Sequence, residues 1–356
     1  MELSSIQVLY AQSLEGTEIA RILSIGCFSL AVYEYMITLD EEIKYFWSGN
    51  WTPSRVLFFI NRYLPLFIMV LSIVGFSVEN PSAEVRPPRY FIFCDSAIKT
   101  AFLLNIIAVA VIQAILVTRN WYLFQGNRVV QFGIIGGFFT SIVLSLVFLY
   151  LSANHLQIIP PSEIARVFNA PVDSFRTEGC RAVRPPMFWR VYLPSLVLHT
   201  LLYLLTAVRA MRNRRLLKDA PILKRLLRDG GFFYFIVFVS VSMTTIGAFL
   251  ENAPKINIPS IYSHFMLTAT SVAVSRVLFS IHSLADKIGS DSAWLLNNVE
   301  LSRVGWRRGT HEGELIVDRY PVYSDEDVES KLDGSSISGH SLLRTTRVGV
   351  YDERSW

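Results

Sequence analysis

The sequence predicts an all-α integral membrane protein: a bundle of seven spanning helices followed by a polar, mostly disordered cytosolic tail. Three observations predict it. The chain is 52% hydrophobic and only 17% charged, against about 25% charged residues in a soluble globular chain. Its mean hydropathy is +0.39. It also contains seven apolar runs of the roughly 20 residues that cross about 30 Å of hydrocarbon at a rise of 1.5 Å per residue. This composition excludes a disordered chain, a collagen-like chain and a cysteine-stapled secreted mini-domain. The net charge of +4 is modest and most of the surface faces lipid. The expected partner is therefore the lipid bilayer, with no nucleic acid.

The runs follow in order. Span one, Ile22–Leu39, is interrupted only by Glu34. Span two, Val56–Val78, is interrupted only by Arg62, and span three, Ala97–Val117, has Lys99 near its start. Span four, Val129–Leu151, is uncharged, and span five, Val191–Val208, holds His199. Span six, Gly231–Leu250, is uncharged, and span seven, from Ile261 to about Leu284, holds Arg276. Residues 1–20 contain no Lys or Arg, so the basic start of a cleaved signal peptide is missing. Span one is expected to act as its own insertion signal.

Orientation follows from Lys and Arg near the span ends. The short connection between spans five and six carries eight of them between Arg209 and Arg228, which predicts a cytoplasmic loop. Seven spans then place the N-terminus outside and the C-terminus in the cytosol. The loop between spans four and five carries Arg166, Arg176, Arg181, Arg184 and Arg190. It votes the other way, but it is long and its charges are spread out. The plasma membrane is favoured over an endomembrane. The chain divides into a membrane domain, 1–284, and a tail, 285–356. The tail's SDEDVESK and DGSSISGHS stretches are charged, rich in Ser and Gly and poor in packing residues. No internal repeat supports an inverted-repeat transporter.

Between about residues 20 and 70 a recognisable pattern stands: Tyr33 before an acid, then Thr38, Leu39, Asp40 and Glu42, then Trp47 and Trp51, then Arg62, Tyr63, Leu64 and Pro65. It resembles the signature of a large family of basidiomycete fungal multi-pass membrane proteins that carry a domain of unknown function at this position. Glu34 stands where that family usually has Asp, and the charge is kept. The resemblance extends more loosely to Cys94, to Arg119, Leu123 and Phe124, and to Ser275–Phe279. It implies a seven-helix membrane fold and no particular activity.

Charges inside spans are the first candidates for function, since each costs roughly 2.5–3.5 kcal/mol on insertion scales unless it pairs or meets water. Glu34 and Arg62 lie roughly 8–10 Å inside the cytoplasmic boundary, and Arg276 about 12 Å inside. The expectation is one cluster in which Glu34 bridges Arg62 and Arg276, against separate snorkelling of all three. Cys94 and Cys180 both fall outside in this topology and are a candidate disulfide; two free thiols are the alternative. Seven-helix receptors of the G-protein-coupled class hold a bridge in the same topological place. Cys27 reads as an inert, small apolar residue.

The LDEEIKYFWSGNWTPSR segment reads as a short interfacial helix broken at Gly49, with Trp47 and Trp51 as headgroup anchors and Pro53 opening span two. Asp40, Glu41 and Glu42 are candidates to cap it or to pair with nearby basic groups. The sequon at Asn50 is expected to be unused on the cytosolic side. Gly133 and Gly137, at GxxxG spacing, suit close helix packing, within the bundle before dimerisation. Pro65 and Pro194 sit inside spans and can kink them. His199 and His264 are isolated histidines with no metal-binding spacing, so no metal and no cofactor is expected. The GxSxG and P-loop motifs are missing, as is a lysine in span seven for a retinal Schiff base. The functional expectation is a receptor- or sensor-like protein with no enzymatic activity and an unknown ligand. Its cytosolic partner would dock at loop 209–228 and the tail. The alternatives are a small-solute transporter, for which spans four and six look nearly featureless, and an accessory or scaffold protein.

Overall fold

A computed structural model describes residues 2–47, 51–77, 88–124, 127–154, 180, 187–212, 221–288, 305–308, 314–319 and 344–350. Helix α1 (Glu2–Ile37) leads through α2 (Leu39–Glu42) and a π-helical turn (Ile43–Trp47) into α3 (Pro53–Ser77). Then come α4 (Pro88–Leu123), α5 (Arg128–Ala153), α6 (Trp189–Arg212) and α7 (Pro221–Phe249). A short α8 (Pro254–Tyr262) precedes α9 (Phe265–Ile288). Seven of these helices, α1, α3 to α7 and α9, are long and apolar enough to span a bilayer, and the protein is a multi-pass integral membrane protein. Large apolar side chains such as Phe132, Phe139, Val143 and Leu151 on α5 are exposed, as a lipid-facing surface requires.

The helices form a ring in which α1 packs on α3, α3 on α4, α4 on α5, α5 on α6, α6 on α7 and α7 on α9. Helix α9 closes it, touching α1, α3, α4 and α7. Its span is 67% buried, against 17% for α5. It is therefore the central helix, and α5 is the one most given over to lipid. Odd and even spans define two ends. The disulfide end holds the start of α4 together with α8; the tryptophan end holds α2 and the π-helical turn.

Two boundaries differ from the sequence expectation. Helix α1 begins well before Ile22, and its membrane-spanning part runs Tyr10–Ile37. Gly16 lets this extension meet α8, because a Cβ there would stand 2.7 Å from the carbonyl oxygen of Pro254. Glu15 fixes the same contact through Lys255, at 2.6 Å. Span seven begins at Phe265 and not at Ile261. The apolar run is broken at His264, whose φ of 56° is incompatible with a continuous helix. Pro254 opens the separate α8, and the Asn257 amide donates to the carbonyls of Gly247 and Ala248 at the end of α7.

Three short strands, β1 (Gly305–Arg308), β2 (Glu314–Arg319) and β3 (Arg344–Val350), form an antiparallel sheet in the order β1-β2-β3. The sequence reading did not anticipate them. Their Leu-Ile-Val and Thr-Thr runs have the β-branched composition that suits a pleated surface. They occupy a small part of the tail.

Candidate functional site

At the tryptophan end the chain leaves α1 at Thr38 and turns back through α2. This turn carries Glu42 under the bundle, where it is fully buried. Arg62 Nε lies 2.6 Å from Glu42 Oε2, with the two side chains 1% and 0% exposed. The pair is surrounded by further polar partners. Arg62 Nη2 donates to the Tyr35 carbonyl at 2.9 Å and to Thr38 Oγ1 at 2.8 Å. The Tyr63 hydroxyl and the Trp47 indole donate to Glu42 Oε1 at 2.7 and 3.1 Å. The guanidinium also lies 4.4 Å from the Tyr35 ring centre and 5.4 Å from that of Phe279, a cation–π arrangement. A buried ion pair offsets its desolvation only when its remaining lone pairs and protons are satisfied. Glu42 Oε1 accepts two hydrogen bonds and Oε2 has the ion pair with Arg62 Nε, while Arg62 Nη1 has no hydrogen-bond partner among the described residues.

The expected three-residue cluster is therefore corrected. Glu34 does not bridge Arg62 and Arg276. Tyr35 and Thr38 occupy the face of α1 that meets Arg62. Glu34 is rotated about 100° from Tyr35 and ion-pairs with Arg276 of α9 alone. Depth placed Arg62 and Glu34 at one level, but helix phase separates them. Trp47 and Trp51 are exposed, and the Trp47 indole also has its bond to Glu42. Gly49 and Asn50 lie outside the described residues, as do residues 213–220 of loop 209–228.

A seam between α3 and α9 starts beside this pair. Phe58 packs on Phe279 at 5.4 Å between ring centres. The Asn61 amide donates to the Ser271 carbonyl at 3.2 Å and to Ser275 Oγ at 3.1 Å, and Ser271 Oγ donates back to the Asn61 carbonyl at 2.6 Å. The Thr268 hydroxyl meets Met69 Sδ at 3.3 Å. Ser72 Oγ meets His264 Nε2 at 2.7 Å. From His264 to Phe279 the seam is about 22 Å long at 1.5 Å per residue, most of the hydrocarbon thickness. Sequence reasoning missed Asn61, Ser271 and Ser275. Their signal was the spacing 264, 268, 271, 275, 279, one polar-lined face of a helix.

At the disulfide end, Cys94 is bonded to Cys180, with Cα atoms 5.4 Å apart. The Cys180 amide donates to the Gly75 carbonyl at 2.8 Å, so the bridge ties the end of α3 to the start of α4. Beneath it lies a cavity of about 50 Å³. Its walls are Leu71, Phe76, Ala97, Ile98, Ala101 and Phe102, and its polar groups are Ser72, Tyr262 and His264. His264 is 8% exposed. Its Nδ1 and the buried Tyr262 hydroxyl have no hydrogen-bond partner among the described residues. Burial pushes the imidazole down to about 4, so it is neutral at physiological pH.

A second, smaller cavity of about 20 Å³ lies between α4, α5 and α6 and is lined by Asn105, Gln113, Ser141, Ser145 and Ser195. Asn105 Oδ1 and His199 Nδ1 have no partner among the described residues. Span four is less featureless than the sequence suggested, because Gln131, Ser141, Ser145 and Ser152 are buried on its inner face. Nearer the tryptophan end the Asn120 amide donates to the Tyr234 hydroxyl at 3.0 Å, and Thr206 donates to Asn120 Oδ1 at 3.2 Å. These bonds join α4, α6 and α7.

The glycine pair divides. A Cβ on Gly137 would rest 3.5 Å from Leu198, but one on Gly133 would meet nothing within 4 Å. Gly133 therefore does not pack within the bundle, because it lies on the lipid-facing side of α5. Among the described residues no three His, Cys, Asp or Glu side chains are grouped to hold a metal.

No curated protein and no solved structure matches the chain. The profile of a family described as "Family of unknown function (DUF6533)" matches residues 22–67. That stretch runs from α1 into α3 and includes both Glu42 and Arg62 with their partners Tyr35, Thr38, Trp47 and Tyr63, so what is similar to the family in this chain is the segment that builds the buried ion pair.

Proposed function

We propose that this membrane protein is a receptor-like sensor without catalytic activity. It takes a ligand in the cavity beneath the Cys94–Cys180 bridge and reports occupancy through α9. The observation that carries the reading is the cavity's place on the seam. His264 lines it, and the same face of α9 continues to Phe279 beside the Arg62–Glu42 pair. A ligand that shifts His264 acts on the head of the most buried helix. In this reading the disulfide end faces outside, at the plasma membrane of a basidiomycete fungus. The basic loop 209–228 and the tail face the cytosol, where they meet a protein partner.

The test places an environment-sensitive fluorophore at the far end of α9, on a Ser283→Cys variant in nanodiscs. The free Cys27 is buried and does not compete for label. Filling the cavity with Ala101→Phe is expected to change the emission at residue 283. Unchanged emission in a folded variant overturns the sensor reading.

A small-solute transporter is the second reading, favoured by the polar cavity of Asn105, Gln113, Ser141, Ser145 and Ser195 between α4, α5 and α6. It requires solute flux in proteoliposomes, lost on Asn105→Leu. An accessory or scaffold role requires neither flux nor an emission change.

A further inference from the structure

We infer that the cavity beneath the Cys94–Cys180 bridge binds a small, neutral, mainly apolar molecule through one carbonyl oxygen, hydrogen-bonded by His264 and Tyr262. The inference rests on the sensor reading and names its ligand class. The walls set the first requirement. Leu71, Ala97, Ile98 and Phe102 are apolar, and among the described residues no Lys, Arg, Asp or Glu lines the cavity. A charged ligand would lose its hydration there without a counter-charge, which leaves carboxylates and ammonium groups outside.

The polar end sets the second requirement. The Tyr262 hydroxyl and His264 Nδ1 are buried without partners among the described residues, and an unmet buried polar group is costly. Ser72 occupies the other ring nitrogen, Nε2, at 2.7 Å. When the Ser72 hydroxyl donates to Nε2, the neutral ring carries its proton on Nδ1. Nδ1–H and the Tyr262 O–H are then two free donors, on two residues that line one cavity. One acceptor with two lone pairs, a carbonyl oxygen, satisfies both, and a hydrocarbon satisfies neither. The volume sets the third requirement. About 50 Å³ has room for roughly three to four water-sized groups, a short-chain molecule.

The test uses the full-length protein in nanodiscs with isotope-labelled acetone, followed by its infrared carbonyl band, with isobutane as the competitor that lacks oxygen. The expected result is a second carbonyl band, shifted to lower frequency than in protein-free nanodiscs. That band is lost when Ala101→Phe fills the cavity, and moves back towards the free position in Tyr262→Phe and in His264→Phe. The Tyr262→Phe variant keeps the ring and serves where His264→Phe fails to fold. A shifted band that ignores both substitutions overturns the assignment of the oxygen to His264 and Tyr262. Displacement of the ketone by an equal amount of isobutane overturns the carbonyl requirement. Absence of any shifted band means that the cavity holds water only and overturns the proposal. None of these results decides the sensor reading, which stands or falls on the emission at residue 283.

Discussion

Arg62 and Glu42 stand 2.6 Å apart with 1% and 0% of their side chains exposed. They are the most deeply buried opposite charges among the described ion pairs, and they tie the turn after α1 to α3. Removing one partner of such a pair leaves an uncompensated buried charge, at a cost of about 3–5 kcal/mol. Glu42→Gln and Arg62→Met are therefore each expected to lower the unfolding temperature sharply. The double variant Glu42→Gln/Arg62→Met is expected to lose less than the two singles added. The buried Cys27 thiol offers the measurement, since a thiol-reactive dye reports its exposure on heating. If Glu42→Gln melts with the wild type, the pair does not hold this end of the bundle together.

Glu34 and Arg276 form a separate pair, and Arg276 is 37% exposed. Partial solvent screening limits its contribution to about 1 kcal/mol or less. Exchanging the charges, Glu34→Arg with Arg276→Glu, is expected to recover the stability that either single variant loses. Exchanging Glu34 with Arg62 is expected to recover nothing, because Arg62 meets Glu42. Rescue by the second exchange and not the first would restore the single cluster that depth alone suggests.

These two pairs show where sequence reasoning succeeds and where it stops. Span existence was legible because a bilayer imposes a length and an apolar composition on each segment, and all seven expected spans are present, the first beginning at Tyr10 and not at Ile22. Partner choice was less legible. Glu34, Arg62 and Arg276 were visible as intramembrane charges, but which ones touch depends on helix phase and on the fold of a connecting segment. Glu42 looked like one of three interfacial acids, since only the backward turn of α2 buries it. The cavity was invisible for a similar reason. It is assembled from α3, α4, Cys180 and a backbone reversal at His264, residues scattered over some 190 positions.

The Cys94–Cys180 bridge closes a loop with a sequence separation of 86, for which the chain-entropy account gives about 4–5 kcal/mol. Cys94→Ser is expected to destabilise the protein by an amount of that order and to open the cavity wall. Peptide mapping with and without reduction is the direct check. One linked peptide pair that separates on reduction is the expected outcome. Two alkylatable thiols would remove the bridge and, with it, the argument that this end faces an oxidising compartment.

His264 precedes the seventh span and lines the cavity with Ser72, Tyr262 and Cys180, and Thr268 lies one turn below it. Among the described residues no acidic or basic side chain lines the cavity beside it. Burial lowers its imidazole from 6.5 to about 4. A histidine with a depressed folded value binds its proton more weakly folded than unfolded. Its neutral state therefore favours the fold above the unfolded value, and that contribution is lost as pH falls from about 6.5 towards 4. At about 1.4 kcal/mol per pH unit the loss approaches 3 kcal/mol. His264→Asn is the matched control, because Asn tolerates positive φ better than most residues and does not titrate in this window. Unfolding midpoints of wild type and variant, followed by tryptophan fluorescence across the window, are expected to converge or cross as the pH drops, because carboxylate titration elsewhere affects both proteins alike. A difference that stays constant from pH 7 to pH 4 would show that His264 does not hold its neutral form in the fold, and the two-donor end of the cavity would lose its tautomer argument.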